Sequence, residues 1–484
     1  ALGLPEPIGG VPVSEALNMA CLSLGTSANV AYTMYPGLSK AALNVINLKG
    51  SEELRELYIA GMMDGRWGGT MCLTEAGAGS DVGALRTTAI PNGDGSFNIE
   101  GVKIFISGGD ADIYENQIHL VLAKTPGAPD GTKGISLFLV PKVLVNDDKT
   151  LGATNNVICT KIEHKMGIHA SATCELTFGG EGECKGWLIG KEFEGMQNMF
   201  IMMNEARLTC SMQGEAQASS AFLNSLHYAK ERVQFGTEIA NHGDVKRMLL
   251  KMRAVSRGLR ALTYYTADLF DASKNKEEAE GLINFLTPIC KAYCTEEGFL
   301  VSAEAVQVHG GYGYCQEYGV EQYVRDSIIG KIYEGTNGIQ ALDLVTRKIL
   351  KDQGKSLGIV TKKIMTFLGK LDDNLSTEKE MIVSSLKTYD QVMKKIQRVA
   401  QEKKFNEINE YAFDVLMMTS HIVVTWLLGE QSLKVNEKEE GFSQEFKQSK
   451  VDDFKVFTHY YLSKNEGLSK AILSDAIELS SLVL

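Results

Sequence analysis

Glu334 has the surroundings most suited to chemistry. It lies in Ile332-Tyr333-Glu334-Gly335-Thr336-Asn337-Gly338-Ile339-Gln340, where it is the one carboxylate of a short loop. Ile328-Ile329 and Lys331-Ile332-Tyr333 precede it, and a helix over 337–349 is expected to follow. Apolar neighbours desolvate a carboxylate, and an adjoining glycine leaves room for a small molecule, so the loop meets the conditions for a general base near neutral pH. On spacing alone, a solvated glutamate or one favoured by a helix N-terminus is the commoner outcome.

Other stretches carry weaker signals. Thr74 to Ser80 is a loop rich in Gly and Ala, where backbone N–H groups can closely approach a phosphate or a planar ring. A plain glycine turn is the alternative. Arg232 and Phe235 stand at a helix exit; a guanidinium suits a pyrophosphate and an aromatic face suits adenine, against a surface ion pair of Arg232 with Glu231. Arg207, in Asn204-Glu205-Ala206-Arg207, reads by itself as an interhelical packing residue. His164 and His309 have no His/Cys/Asp cluster around them, so no metal site is expected.

The elements positioning these residues change character along the chain. Residues 14–35, 37–50 and 52–65 have helical spacing. From 66 to 190 short alternating runs (86–90, 96–99, 103–107, 119–123, 135–140, 158–163, 174–178) predict a β domain, with Asn92-Gly93-Asp94-Gly95 as a hairpin turn. From 191 to 349 long helices return, at 198–231, 244–273 (with a charged exit over 274–280), 283–308 and after Asn337, which suggests an up-down bundle. Residues 350–484 form a further helical module, with helices at 378–403, 405–433, 452–462 and 469–482 and a polar loop at 434–450. The fold class is α+β, mostly α.

A chain of 484 residues exceeds one core, so several domains are expected. Its net charge of −11 disfavours nucleic acid as the main partner, while leaving room for an anionic ligand held by a few local donors. The nine cysteines are scattered and show no CxxC spacing, the pattern of reduced thiols in a cytosolic protein. No apolar run reaches membrane-spanning length; 415–428 is interrupted by Thr419, Ser420 and His421 and reads as a core helix. No charged-then-apolar leader opens the stretch.

Four motifs stand in a telling order: Met71-Cys72-Leu73-Thr74-Glu75-Ala76-Gly77-Ala78-Gly79-Ser80-Asp81, then Lys103-Ile104-Phe105-Ile106-Ser107-Gly108-Gly109, then Glu231-Arg232-Val233-Gln234-Phe235-Gly236, then Gln307-Val308-His309-Gly310-Gly311 running on to Tyr333-Glu334-Gly335-Thr336. Together they resemble the FAD-dependent acyl-CoA dehydrogenase family over about 1–349. Glu163-His164-Lys165-Met166-Gly167-Ile168-His169, the form of the Glu334 loop and the additional C-terminal helices resemble the bacterial 3-(methylthio)propanoyl-CoA dehydrogenase-like subgroup.

The resemblance implies a helical N-terminal segment with more helices upstream of Ala1, a central β-barrel-like domain, a C-terminal four-helix bundle and an extra helical module. It implies desaturation of an acyl-CoA to the trans-2-enoyl-CoA, Glu334 removing the α-proton and flavin N5 taking the β-hydride. The Glu334 backbone N–H polarises the thioester oxygen. By the same resemblance FAD meets Leu73, Thr74, Ser80, Phe105, Ser107 and Thr336. Arg232, Phe235, Gln307, Gly310 and Gly311 serve a neighbouring subunit's FAD, implying a homodimer or homotetramer. Ser80, Arg207 and Gly335 border the substrate. Phe105 and Ser107 stand where the family often has Trp and Thr, Gly338 where it often has Gln, and Asn204 where it often has Asp. An electron-transfer flavoprotein is the implied electron acceptor and the cytoplasm the implied location. The rival readings are an acyl-CoA oxidase, a non-catalytic flavoprotein of the alkylation-response type that binds nucleic acid, and a purely structural helical module.

Overall fold

In a computed structural model of the chain, residues 2–273, 277–438, 440–474 and 482–483 are described. They cluster into two units, 2–18 with 28–209 and 19–27 with 210 onward.

Polar caps set the first helices. α1 (Glu15–Ala28) stops before Asn29, whose extended backbone and side chain, accepting from the Tyr32 N–H, start α2 (Val30–Lys49). α3 (Glu52–Met63) begins the same way at Ser51. The helix break therefore falls at Asn29, whereas the sequence places it at Pro36, which lies inside α2. Pro36 removes one backbone bond, and the burial of Ala41, Ala42, Leu43, Val45 and Ile46 beyond it carries the helix through.

The β region holds β1 (Trp67–Cys72), β2 (Thr88–Pro91), β3 (Phe97–Ser107), β4 (Asn116–Lys124), β5 (Ile135–Pro141), β6 (Val143–Val145), β7 (Leu151–Thr154), β8 (Val157–Ile162), β9 (Thr173–Phe178) and β10 (Lys185–Leu188). One sheet runs β1-β4-β5-β10-β3-β9-β8, with β2 pairing β3 and β4; β6 and β7 form a separate hairpin. The turn at 92–95 joins β2 and β3 antiparallel, Pro91 opposite Phe97. The runs 96–99 and 103–107, read as two strands, are one continuous β3. β4 and β5 are buried on both faces, which explains their unbroken apolar sequence. Ile118, Leu120 and Leu122 pack into a core with Ala42, Val45 and Tyr58, while Val121 and Ala123 enter a second core with Ile99, Val140 and Phe178.

α4 (Gly195–Glu231) divides between the units at Thr209. A hairpin of β11 (Val233–Gln234) and β12 (Thr237–Glu238) follows, then α5 (Gly243–Ser273), α6 (Glu277–His309), α7 (Val320–Ser327) and α8 (Asn337–Leu342), which continues as a π-helical stretch Asp343–Lys351. The expected charged exit at 274–280 divides differently: 274–276 lie outside the described residues, and Glu277, Glu278 and Glu280 open α6, where acidic groups suit the helix dipole.

The C-terminal part is α9 (Lys355–Leu368), α10 (Ser376–Gln401), α11 (Phe405–Glu437), α12 (Gln444–Phe457) with a π turn Thr458–Leu462, and α13 (Lys464–Leu473). The sequence reads 434–450 as a loop; instead α11 extends to Glu437 and α12 starts at Gln444, capped by Ser443 accepting from the Phe446 N–H. The expected helix at 469–482 is seen to Leu473; 475–481 lie outside the described residues. α11 is long and apolar enough to cross a membrane, yet 83% of its most apolar window is buried against protein, as a core helix requires. It packs on α5, α10 and α12.

Candidate active site

The second unit builds the Glu334 loop on α6. Lys291 sits on the apolar face of that helix with none of its surface exposed. Its Nζ donates to the Gly335 carbonyl (2.7 Å) and to Asn337 Oδ1 (2.9 Å). Asn337 Nδ2 donates to Thr295 Oγ1 (3.0 Å) and Glu296 Oε1 (2.9 Å), and Glu296 pairs with Lys331 at 2.6 Å. The Gln340 amide lies 3.4 Å from the Glu334 carbonyl and 3.3 Å from that of Gly335. Thr336 starts α8, its Oγ1 accepting from the Ile339 N–H. Tyr333 donates its hydroxyl hydrogen to Gln213 of α4. Held this way, Glu334 is half-buried with φ 56° and Gly335 has φ 86°. A left-handed glutamate is uncommon and persists where its surroundings over-determine it. Partial burial is what the apolar neighbours of Glu334 predicted.

The same unit gathers Arg232, Gly310 and Gly311 around a concavity of about 430 Å³, with Tyr228, His309 and Tyr312 also lining it. Arg232 lies over the Tyr312 ring (5.5 Å), and Tyr228 stacks on His309 at 4.3 Å. Burial lowers the His309 imidazole from its usual value, against the hydrogen bond to the Ala305 carbonyl. Gln307 is exposed on the last turn of α6. Phe235 is 96% exposed at the tip of the β11–β12 hairpin; Phe235 and Gly236 both have positive φ, the backbone of a tight two-residue turn.

The first unit holds Leu73, Thr74, Ser80, Phe105, Ser107 and Arg207. A buried ion pair joins the loop after β1 to β3: Lys103 Nζ meets Glu75 Oε1 at 2.8 Å and the Leu73 carbonyl at 3.1 Å. Glu75 also accepts from the Arg86 and Thr87 N–H groups and the Thr87 hydroxyl, and the Ile104 N–H donates to the Thr74 carbonyl. Leu73 and Thr74 are thereby fixed beside Phe105 and Ser107. Burial works to raise the Glu75 carboxyl, but Lys103 and these donors outweigh it and hold it below its ordinary value. Between Lys103 and Ile106 the β3–β9 register slips by one residue. This bulge puts Phe105 at φ 58° and leaves its ring 62% exposed, while Ile106 stays buried. Ser80 is exposed, and Gly77 and Gly79 have open space around them. Arg207 is buried, its guanidinium 6.0 Å from the Phe200 ring centre.

Sequence reasoning passed over Lys291, Asn337, Gln213 and the Glu75–Lys103 pair. A single lysine inside Ile289-Cys290-Lys291-Ala292-Tyr293-Cys294 was the available signal, because a buried ammonium must find acceptors. Among the described residues no His/Cys/Asp/Glu group could hold a metal ion.

Residues 70–180 match the acyl-CoA dehydrogenase middle domain, 194–350 the acyl-CoA dehydrogenase C-terminal domain, and 360–482 a domain described as acetyl-CoA dehydrogenase C-terminal like. The chain is 35% identical over 96% of its length to 3-methylmercaptopropionyl-CoA dehydrogenase of Ruegeria pomeroyi, covering 81% of that protein. Its fold is similar to that of an acyl-CoA dehydrogenase complexed with FAD from Bacillus anthracis (TM-score 0.81, 24% identity, 97% of this chain and 79% of that one). It is also similar to a chain in the structure of the electron transferring flavoprotein of Acidaminococcus fermentans (TM-score 0.61, 29% identity, 71% of this chain and 84% of that one). The chain belongs to the acyl-CoA dehydrogenase family.

Proposed function

We propose that the protein catalyses FAD-dependent α,β-dehydrogenation of an acyl-CoA thioester, giving the trans-2-enoyl-CoA, with Glu334 as the base for the α-proton. The observation supporting that role is the half-buried, left-handed Glu334 on a loop whose flanking carbonyls are tied down from α6 and α8. Tying them fixes the backbone from which the carboxylate projects, and a fixed base is what positioned proton transfer needs. The Glu334 N–H donates to the thioester oxygen and lowers the cost of the charge that gathers there.

The residues present fit FAD. Phe105 offers an uncovered aromatic face beside Ser107, the Leu73–Thr74 backbone is anchored next to it, and the open space around Gly77 and Gly79 admits close approach. Arg232, with Gly310 and Gly311 around one concavity, suits a pyrophosphate, and the bare Phe235 ring suits adenine. Gln307 and Thr336 complete this set. When bound, FAD supplies the acceptor for the β-hydrogen and its electron pair. The chain's own task is to orient the thioester at Gly335 and to receive the α-proton at Glu334.

Arg232, Phe235, Gln307, Gly310 and Gly311 serve the FAD of an adjacent copy, so the working protein is a homodimer or homotetramer. An electron-transfer flavoprotein reoxidises it, a reading favoured by the Acidaminococcus fermentans likeness. The Ruegeria pomeroyi likeness favours 3-(methylthio)propanoyl-CoA as substrate, and the cytoplasm is the proposed location. The test is an anaerobic titration of the FAD-loaded protein with butyryl-, octanoyl-, palmitoyl- and 3-(methylthio)propanoyl-CoA. The last is expected to reduce the flavin fastest. A faster straight-chain substrate would contradict the substrate assignment, and stoichiometric peroxide in air would favour an oxidase.

A further inference from the structure

We propose that Lys291 is a positioning residue for this reaction: its buried ammonium, bonded to the Gly335 carbonyl and to Asn337 Oδ1, holds Glu334 in the left-handed conformation from which it takes the proton. The inference rests on the reading of Glu334 as the base. An ammonium with no exposed surface is costly to bury unless hydrogen-bonded, and two of the acceptors of Lys291 belong to the loop, one on each side of Thr336. Asn337 transmits the same anchor to the next turn of α6, through Thr295 and Glu296, and Glu296 is closed off by Lys331. Residues 291, 295 and 296 of one helix thus form a seat on which the loop carrying Glu334 rests. Glu334 and Gly335 have φ 56° and 86°. Without the cation the Gly335 carbonyl keeps only the longer Gln340 contact at 3.3 Å, and Glu334 relaxes toward the commoner right-handed region.

The test compares wild type, Lys291→Met, Asn337→Ala, Glu334→Gln and the double variants Lys291→Met/Glu334→Gln and Asn337→Ala/Glu334→Gln. FAD content, thermal melting, KM and the anaerobic rate of flavin reduction are measured for each. Lys291→Met is expected to retain FAD, to keep KM within about threefold, and to slow reduction by about 10- to 100-fold, the scale of a misplaced catalytic group. On the Glu334→Gln background it is expected to cause no further loss, because the group it positions is gone. Asn337→Ala should slow reduction less, again only when Glu334 is present. An unchanged rate in Lys291→Met, or an equal loss on both backgrounds, would overturn the proposal. If Lys291→Met does not fold, Asn337→Ala decides by the same criterion. Full activity in Glu334→Gln alone would remove the underlying reading and is distinguishable from any result at Lys291.

Discussion

Two buried carboxylates show how environment sets a residue's charge. Glu75 is held ionised by Lys103, so removing it strands a buried ammonium. Glu75→Gln is expected to cost about 3–5 kcal/mol in a denaturant melt, and Glu75→Gln/Lys103→Met less than the two single changes added. Because the folded value of Glu75 is depressed, its stabilising contribution is present at neutral pH and is lost on acidification through that value. Glu297 is the opposite case. Burial raises it to about 7, ahead of the pull of Lys464. Its neutral form is favoured in the fold, so the associated stability is full below the ordinary carboxylate range and lost as pH rises through about 7. Glu297→Gln, which mimics the neutral acid, should match wild type near pH 4 and exceed it at pH 8 by on the order of 3 kcal/mol. Melts of both proteins across that range decide the point; parallel curves would contradict it. At this scale the sequence was legible where a motif supplied neighbours, as for the partial burial of Glu334. Lys291 and Glu297 were not read because their partners come from residues distant in the chain.

Elements were legible where a periodic apolar face was long. The expected strands at 119–123 and 135–140 correspond to β4 and β5, and the expected helix at 244–273 to α5. The errors have local causes. In the sequence Pro36 is a more conspicuous breaker than the Asn29 cap, and the charges of 434–450 mask Ser443, the cap of α12. The bulge at Phe105 depends on the register of β9, which no local pattern in β3 encodes. One packing detail makes a prediction at this scale. α4 and α6 approach backbone to backbone, such that a Cβ at Gly298 would lie 2.6 Å from the Gly214 carbonyl oxygen. Gly298→Ala must push these helices apart, disturbing the Tyr333–Gln213 contact between α4 and the Glu334 loop. A loss of about 1–3 kcal/mol in thermal stability is expected, the usual range for overpacking.

For the molecule as a whole, four separated motifs in order carried more information than any composition, because they constrain a cofactor site that local structure alone does not explain. The substrate is set by pocket walls that the motifs do not contain. The assembly is open to a direct test. Phe235→Ala changes a ring that is 96% exposed, so the unfolding free energy of the cofactor-free protein should move by no more than about 0.5 kcal/mol. FAD retention should nevertheless weaken by about tenfold if the ring stacks on adenine, at about 1–3 kcal/mol per stacked base. Sedimentation should show a dimer or tetramer; a monomer that binds FAD tightly would contradict the shared site.

The central claim is that Glu334 takes the α-proton, and anaerobic flavin reduction tests it most directly. The FAD-loaded wild type mixed with its best acyl-CoA substrate should lose its visible flavin absorbance rapidly. Glu334→Gln should bind the same FAD and the same acyl-CoA yet lose that absorbance about 10²- to 10⁴-fold more slowly, the range of general-base catalysis. Equal rates in the two proteins, with FAD fully bound in both, would contradict the account.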